Sequence, residues 1–195
     1  DLAQGNVGTL TSGPTFSTDD GGSIEFDGTD DYVLTQGITL GSSFSISCWI
    51  KYAASPEYRT IMTSRNYYAV GYDGNFGIRA ESATKVAFFS GDGRGTQEVW
   101  PTTFTVPTID TSTWYNLTLS CDGVNVSVYW QGSLIGSAAH TNALVDASNG
   151  IVIGGDISWA NAEWDGNIAI VEIYNRALTT AEILDDYNKT KGRFT

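Results

Sequence analysis

The dipeptide Asp-Gly recurs along this chain, and its spacing restricts the possible fold more than any other sequence feature. Its six occurrences are Asp20-Gly21, Asp27-Gly28, Asp73-Gly74, Asp92-Gly93, Asp122-Gly123 and Asp165-Gly166. Most of them adjoin apolar or alternating runs, and Asp-Gly between such runs is a hairpin signal because glycine accepts the positive φ of tight turns. The spacing therefore predicts many short antiparallel strands and few helices.

The runs between the turns indicate which strands have a single buried face. SFSISCWIKY and VNVSVYWQG alternate apolar with polar residues, which is typical of a strand with one face in the core and one in water. NGIVIGG and GNIAIVEIYN are apolar at both parities. These two runs are predicted to be central strands that are covered on both sides.

One helix is predicted, near the end of the chain. The sequence Thr-Thr-Ala-Glu from Thr179 matches a capping box, and Ile183, Leu184 and Tyr187 follow it at helical spacing. We expect about two turns. Antiparallel strands with one late short helix favour an all-β sandwich.

Length and charge limit the class of protein. The chain has 195 residues, 41% of them hydrophobic, which is enough for one core, and we expect a single domain over residues 1–195. The formal net charge of −12 disfavours binding to nucleic acid and to anionic membranes. No apolar run approaches the roughly 20 residues of a membrane span. Because the chain starts at Asp1 without Met, we expect a processed product or a piece of a longer protein.

The two cysteines are predicted to face the core. Cys48 shares its parity with Phe44 and Ile46, and Cys121 shares its parity with Leu119. Two buried thiols are more often small apolar fillers than a disulfide, although the even count leaves a bridge open.

Four separated segments, in order, then match a known pattern. They are GSIEFDGTDDYV, SFSISCWIK, STWYNLTLSCDGVNVSVYWQGSLIGS and IVIGGDISWANAEWDGNIAIVEIYNRALTTAEILDDYN. Together they resemble the concanavalin A-like jelly rolls of the laminin G-like group. The resemblance implies a two-sheet antiparallel jelly-roll β-sandwich of about twelve to fourteen strands with one short C-terminal helix. The lead-in GTLTSGPTF is similar to that of relatives in tailed-phage virions and on marine bacterial surfaces.

The acidic stretch GSIEFDGTDDYV does not predict an enzyme. Retaining glycanases of this fold carry Glu-x-Asp-x-Glu on one strand, whereas Glu25 and Asp27 are followed by Thr29, after Gly28 has begun a turn. Lyases of this fold need a His paired with a Tyr, and the single His, His140, lies in a polar stretch where we expect it to be solvated. We therefore expect no catalytic residue.

The resemblance also bears on metal binding. Glycanase-type relatives hold a structural calcium ion partly through an Asp in the last long strand, and Ala169 stands at that position here. A loop site near Asp156 or Asp165 stays open, but Asp before Gly more often shapes a turn. We expect no cofactor and no required metal.

Glycan binding by a jelly roll uses exposed aromatic side chains together with a few amide or carboxylate groups. Two loops offer such residues, namely Trp159, Asn161 and Glu163 in one, and Arg65, Asn66, Tyr67 and Tyr68 in the other. Trp164, before Asp-Gly, is instead predicted to be core. A second candidate surface is the polar face of the alternating strands, which carries Ser45, Ser47, Trp49, Thr118, Ser120, Asn125, Ser127 and Tyr129.

The sequence leaves two functional hypotheses. The first is a non-catalytic module, displayed on a virion or cell exterior, that binds carbohydrate or a host cell surface and gains affinity through multivalency. The second is an architectural virion decoration or tail protein, without a glycan ligand, whose faces pack on neighbouring subunits. Both place the chain outside the cell or on a virion, with glycans, surface-protein subunits or further copies of itself as partners.

Overall fold

The computed structural model describes residues 7–35, 38, 40–53, 57–64, 76–91, 98–140, 150–156 and 162–194. They form fourteen strands, one α-helix and 3₁₀ turns at Asp19–Gly21 and Lys191–Arg193. The strands are β1 (Gly8–Thr11), β2 (Thr15–Ser17), β3 (Ser23–Asp27), β4 (Tyr32–Thr35), β5 (Phe44–Tyr52), β6 (Arg59–Thr63), β7 (Phe76–Ser82), β8 (Lys85–Gly91), β9 (Glu98–Thr105), β10 (Trp114–Cys121), β11 (Asn125–Trp130), β12 (Ser133–Ala139), β13 (Ile151–Ile153) and β14 (Asp165–Tyr174). Helix α1 spans Thr180–Thr190. No helix among the described residues is long and apolar enough to cross a membrane.

The strands form two antiparallel sheets of seven strands each. Sheet A has the order β1-β4-β13-β6-β7-β8-β9, and sheet B has the order β12-β11-β10-β5-β14-β3-β2. The predicted two-sheet antiparallel sandwich is confirmed. The two runs that are apolar at both parities became β13 and β14, and both lie in the interior of their sheets, as predicted.

The main core lies between the sheets. Alternate residues of β5 face it, among them Phe44, Ile46, Cys48 and Ile50, each at most 1% exposed. Cys121 is buried there too, which confirms the predicted parity of both cysteines. Both thiols are free, so the disulfide bridge that the sequence left open is not formed. Burial raises the pKa of the Cys48 thiol to about 12, which makes it a poor nucleophile.

Part of the other face of sheet B is covered, and the prediction that this face is solvated was wrong for Trp49, Tyr129 and the buried polar residues beside them. Asn125 and Ser127 are half-buried. Trp49 is only 2% exposed, because its indole stacks on Tyr187 of α1 and on Phe194. Tyr129 is 5% exposed and its hydroxyl bonds to Thr180 of α1. Alternation shows which side chains share a face of a strand, but it does not show whether a distant segment returns to cover that face.

The polar residues of this face became a buried hydrogen-bond network. Ser45 and Ser120 are bonded at 3.0 Å, and Ser47 and Thr118 at 2.9 Å. The Ser120 hydroxyl also donates to the Leu178 carbonyl, just before α1. These hydroxyls therefore satisfy each other and fix the approach of the helix, since buried polar groups need partners.

The predicted capping box at the start of α1 is confirmed. The Thr179 hydroxyl accepts a hydrogen bond from the Glu182 amide, and the Glu182 carboxylate accepts one from the Thr179 amide. Arg176 also donates to Glu182, and these hydrogen bonds hold the pKa of that carboxyl at about 2. The helix has eleven residues, about three turns, and is longer than the two turns predicted.

Candidate functional site

The acidic stretch at the end of β3 is a turn. The strand ends at Asp27, and Gly28 follows with φ +73°, in the region that favours glycine. The Asp27 carboxylate accepts a hydrogen bond from the Thr29 amide at 2.8 Å, and the Asp31 carboxylate accepts one from the Asp27 amide at 3.0 Å. Two of the acids thus organise the loop between β3 and β4, which we call the acid turn (residues 27–31).

Three acidic side chains of the acid turn could hold a metal ion, and they form the one such group among the residues that the structure describes. One carboxylate oxygen from each of Asp27, Asp30 and Asp31 lies within 4.8 Å of the others. Asp31 is 4% exposed, and burial raises the pKa of its carboxyl. Calcium takes six to eight oxygen ligands, whereas two of these three carboxylates already accept backbone amides. The geometry therefore explains the cluster as turn chemistry.

Ala169 lies among apolar side chains. It is 5% exposed and packs with Trp49, Trp114 and Phe194 in an apolar cluster on the helix side of sheet B. The position at which the resemblance would have supplied a calcium ligand is thus part of a small hydrophobic core.

Arg59 joins the acid turn to the segment that contains Glu163. Its guanidinium donates from Nη1 to the Glu163 carbonyl at 3.0 Å and to the Gly28 carbonyl at 3.4 Å. The Thr60 amide donates to the Ala162 carbonyl at 2.7 Å, which holds the same segment against β6. Arg59, at the start of β6, thereby holds the acid turn beside the segment just before β14 (residues 162–164). We call these two segments the rim.

Glu163 carries an acceptor that the described residues do not satisfy. Its side chain is half-buried, and its Oε2 atom is buried without a hydrogen-bond partner. Glu163 lies close to the acid turn, with Gly155 next to both. A Cβ atom placed on Gly155 would be 3.4 Å from the Asp31 carbonyl oxygen and 4.0 Å from the Glu163 Cγ atom. A buried carboxylate oxygen without a donor is energetically costly.

The other residues predicted to bind glycan lie outside the described residues. These are Trp159, Asn161, Arg65, Asn66, Tyr67 and Tyr68. Their role stays a prediction. Trp164 is described and is fully buried, with its indole packed at 4.5 Å, ring centre to ring centre, on Tyr52. Its predicted place in the core is confirmed.

The register of β14 adds an acid that the sequence did not associate with the turn. Asp165 pairs with Asp27, and Asn167 pairs with Glu25, so these side chains share one face of sheet B. No local signal in the sequence reveals this neighbour, because β3 and β14 lie at opposite ends of the chain. The pairing adds negative charge to the rim around the acid turn.

His140 is not solvated, so that prediction was wrong. It is 6% exposed, its ring lies 5.5 Å from that of Phe88, and its Nε2 atom lacks a hydrogen-bond partner among the described residues. Burial lowers the pKa of the imidazole. The residue directly follows β12 and packs on Phe88 of the core, whereas its polar neighbours in the sequence suggested a solvated loop.

The fold defines the class of protein, which is a concanavalin A-like jelly roll. A laminin G model described as the concanavalin A-like lectin/glucanases superfamily matches residues 27–184. The chain belongs to this family. No curated protein sequence matches it.

Solved structures with the same fold include several binding domains. The receptor-binding domain of botulinum neurotoxin type G superposes with a TM-score of 0.73 at 16% identity, over 95% of this chain and 46% of that one. The binding domain of Paraclostridial Mosquitocidal Protein 1 gives 0.73 at 15%, over 96% and 48%. The chain thus spans about half the length of these two proteins.

A third structure is similar over nearly its whole length. It is domain 4 of AbnA, an extracellular GH43 arabinanase of Geobacillus stearothermophilus, in complex with arabinotriose. The TM-score is 0.69 at 19% identity, over 91% of this chain and 86% of that one. At such identities these likenesses show a shared fold.

Proposed function

We propose that this chain is a non-catalytic module that binds carbohydrate on a cell or host surface. Two kinds of finding support the proposal. The family is described as lectins and glucanases, two of the similar structures are binding domains, and a third is an arabinanase domain in complex with arabinotriose. Display on a virion or cell exterior belongs to the same proposal, since such surfaces present glycans to a module of this kind.

Glu163 is the observation that carries the proposal. Its peptide carbonyl is held by Arg59, while its Oε2 atom has no donor among the described residues. The Glu163 side chain is half-buried beside the acid turn, and a carboxylate in such a place is an acceptor for sugar hydroxyl groups. The assignment of Glu163 to a glycan site stays a prediction.

The experiment is a glycan array with the intact chain, followed by calorimetry on the best ligand. Glu163→Gln exchanges one acceptor oxygen for an amide donor, and we expect it to weaken binding at least tenfold. Glu25→Gln is the matched control, because Glu25 is exposed on β3 and the exchange removes the same charge. Absence of any glycan signal for the wild-type chain refutes the proposed function.

An architectural role is the second candidate, and one observation favours it. Three large apolar side chains near the start of the described chain are exposed. They are Val7, just before β1, Leu10 on β1 and Phe16 on β2, which are 74%, 49% and 66% exposed. Both strands are at sheet edges, where a neighbouring subunit can pack. Light scattering of the chain over a range of concentrations tests this role, which requires a defined oligomer that Phe16→Ser dissociates.

A further inference from the structure

An aromatic and charged cluster lies on the outer face of sheet A, on strands that also reach the rim. Tyr58, Arg79, Glu81 and Phe89 form it, and we call it the Tyr58 cluster. The core side chains of β7 are Phe76, Ile78 and Ala80, so Arg79 and Glu81 point to the opposite face. Thr60 pairs with Arg79 and shares that face, and Tyr58 reaches it from just before β6, where its ring lies beside the Arg79 guanidinium.

The arginine is fixed between partners at the centre of the cluster. Its guanidinium lies over the Phe89 ring at 5.4 Å and over the Tyr58 ring at 5.6 Å from the ring centres. It also donates to both oxygens of Glu81, with Nη2 3.0 Å from Oε1. The side chains of Arg79 and Glu81 are only 12% and 17% exposed. Such a bidentate pair is rigid and nearly neutral as a unit.

The cluster grades from buried to exposed. Phe89 is 8% exposed and lies across Gly77, where an added Cβ would collide with its ring. Tyr58 is 50% exposed, and its backbone has φ +55°, a region that large side chains seldom adopt. The fold thus holds a tyrosine ring at the surface, supported underneath by a fixed arginine, at the cost of local backbone strain.

We propose that the Tyr58 cluster is a sugar-binding site, in which the Tyr58 ring stacks on the C–H face of a sugar and the Arg79–Glu81 pair hydrogen-bonds its hydroxyl groups. This inference rests on the proposed function and gives it a location that the sequence did not single out. An exposed aromatic ring beside a fixed set of polar groups is the combination that sugar recognition requires. Preorganisation of the pair reduces the entropy lost on binding.

The charges around the cluster select the class of glycan. Arg79 is neutralised by Glu81, and Arg59, next to Tyr58, bonds to the carbonyl of Gly28 within the acid turn. The nearby rim carries Asp27, Asp30 and Glu163, within a chain of net charge −12. This field repels sialylated and uronic acid glycans. The ligand class is therefore a neutral glycan, bound with little dependence on salt.

The test uses the intact chain on an array of neutral and acidic glycans, with arabinotriose included as a neutral ligand. Tyr58→Asn removes the ring and suits a positive φ, and we expect at least a tenfold loss of affinity for the best neutral glycan. Tyr58→Phe should bind as the wild type does. Phe16→Asn is the control, because it removes an exposed aromatic ring from β2, outside the Tyr58 cluster, and should leave binding unchanged.

A measurement on the wild-type chain keeps the test independent of how the variants fold. Hydrogen exchange with and without the best glycan should show protection in β6 and β7. Protection confined to other strands, unchanged binding by a folded Tyr58→Asn variant, or a preference for acidic glycans overturns the inference. Loss of binding in Glu163→Gln with full binding in Tyr58→Asn would leave the proposed function standing without this site. Absence of all glycan binding in the wild type removes both.

Discussion

Substitutions at Trp164 test how a buried N–H group without a hydrogen-bond partner affects the free energy of unfolding. The Trp164 indole is fully buried against Tyr52, and its Nε1 atom is buried without a hydrogen-bond partner among the residues that the structure describes. Trp164→Ala removes a large ring from a packed core, which typically costs about 3–5 kcal/mol of unfolding free energy. Trp164→Phe keeps an aromatic ring and removes the unpaired N–H group.

The two contributions to Trp164→Phe nearly cancel. Phenylalanine lacks two carbons and the nitrogen of the indole, and the two carbons, at about 0.8 kcal/mol per buried group, account for about 1.6 kcal/mol of lost stability. Removal of a buried donor without a partner returns about 1–3 kcal/mol. We therefore expect the unfolding free energy of Trp164→Phe to lie within about 1 kcal/mol of the wild-type value.

Urea unfolding followed by far-ultraviolet circular dichroism measures both variants, with the slope m as a check that the unfolded states are comparable. Tyr52→Phe is the control, because the Tyr52 hydroxyl is also buried with no partner in the described part of the chain, and its removal leaves the ring in place. This variant should be as stable as the wild type or slightly more stable. If Trp164→Phe is as destabilised as Trp164→Ala, the indole N–H makes a favourable interaction and the reasoning fails.

Three further predictions concern other sites. Melting temperatures in EDTA and in excess calcium should agree, because Asp27 and Asp31 already accept backbone amides, and a calcium-dependent rise would reveal a metal site in the acid turn. Burial lowers the pKa of His140 below its ordinary 6.5, so the unfolded state binds a proton more readily and the free energy of unfolding should fall as the pH drops below about 6.5. A His140→Phe variant should lose that part of the pH dependence. An unchanged pH profile in the variant would contradict the assignment of this effect to His140. Trp159→Ala should reduce glycan binding without lowering the melting temperature, whereas binding equal to that of the wild type would exclude Trp159 as an anchor.

The features that could be predicted from the sequence are local ones. Alternation placed Phe44, Ile46 and Cys48 in the core, and the Thr179–Glu182 pattern located the start of α1, because side-chain direction and capping depend on a few neighbouring residues. The position of Trp164 before Asp-Gly similarly predicted a buried ring. Such features are set before the sheets pack.

The features that could not be predicted depend on contacts between distant segments. Trp49 appeared to be solvated because nothing near it indicates that Phe194 and α1 return to cover it. The Tyr58 cluster escaped notice because Tyr58 and Arg79 meet only through the register of β6 and β7. Glu163 was predicted to be a glycan contact from the composition of its loop. Its link to the acid turn could not be predicted, because it depends on Arg59, about a hundred residues earlier in the chain.

The place of β14 in sheet B affects how the chain is made. This strand, Asp165–Tyr174, lies between β5 and β3, and it is the last of the fourteen described strands to be synthesised. Until it arrives, β5 and β3 each have an unpaired edge, and unpaired edges are where nascent chains aggregate. The strong negative charge that keeps copies of the chain apart matters most during that interval. A ribosome-bound chain that stops before residue 165 therefore holds two halves of sheet B that cannot yet join.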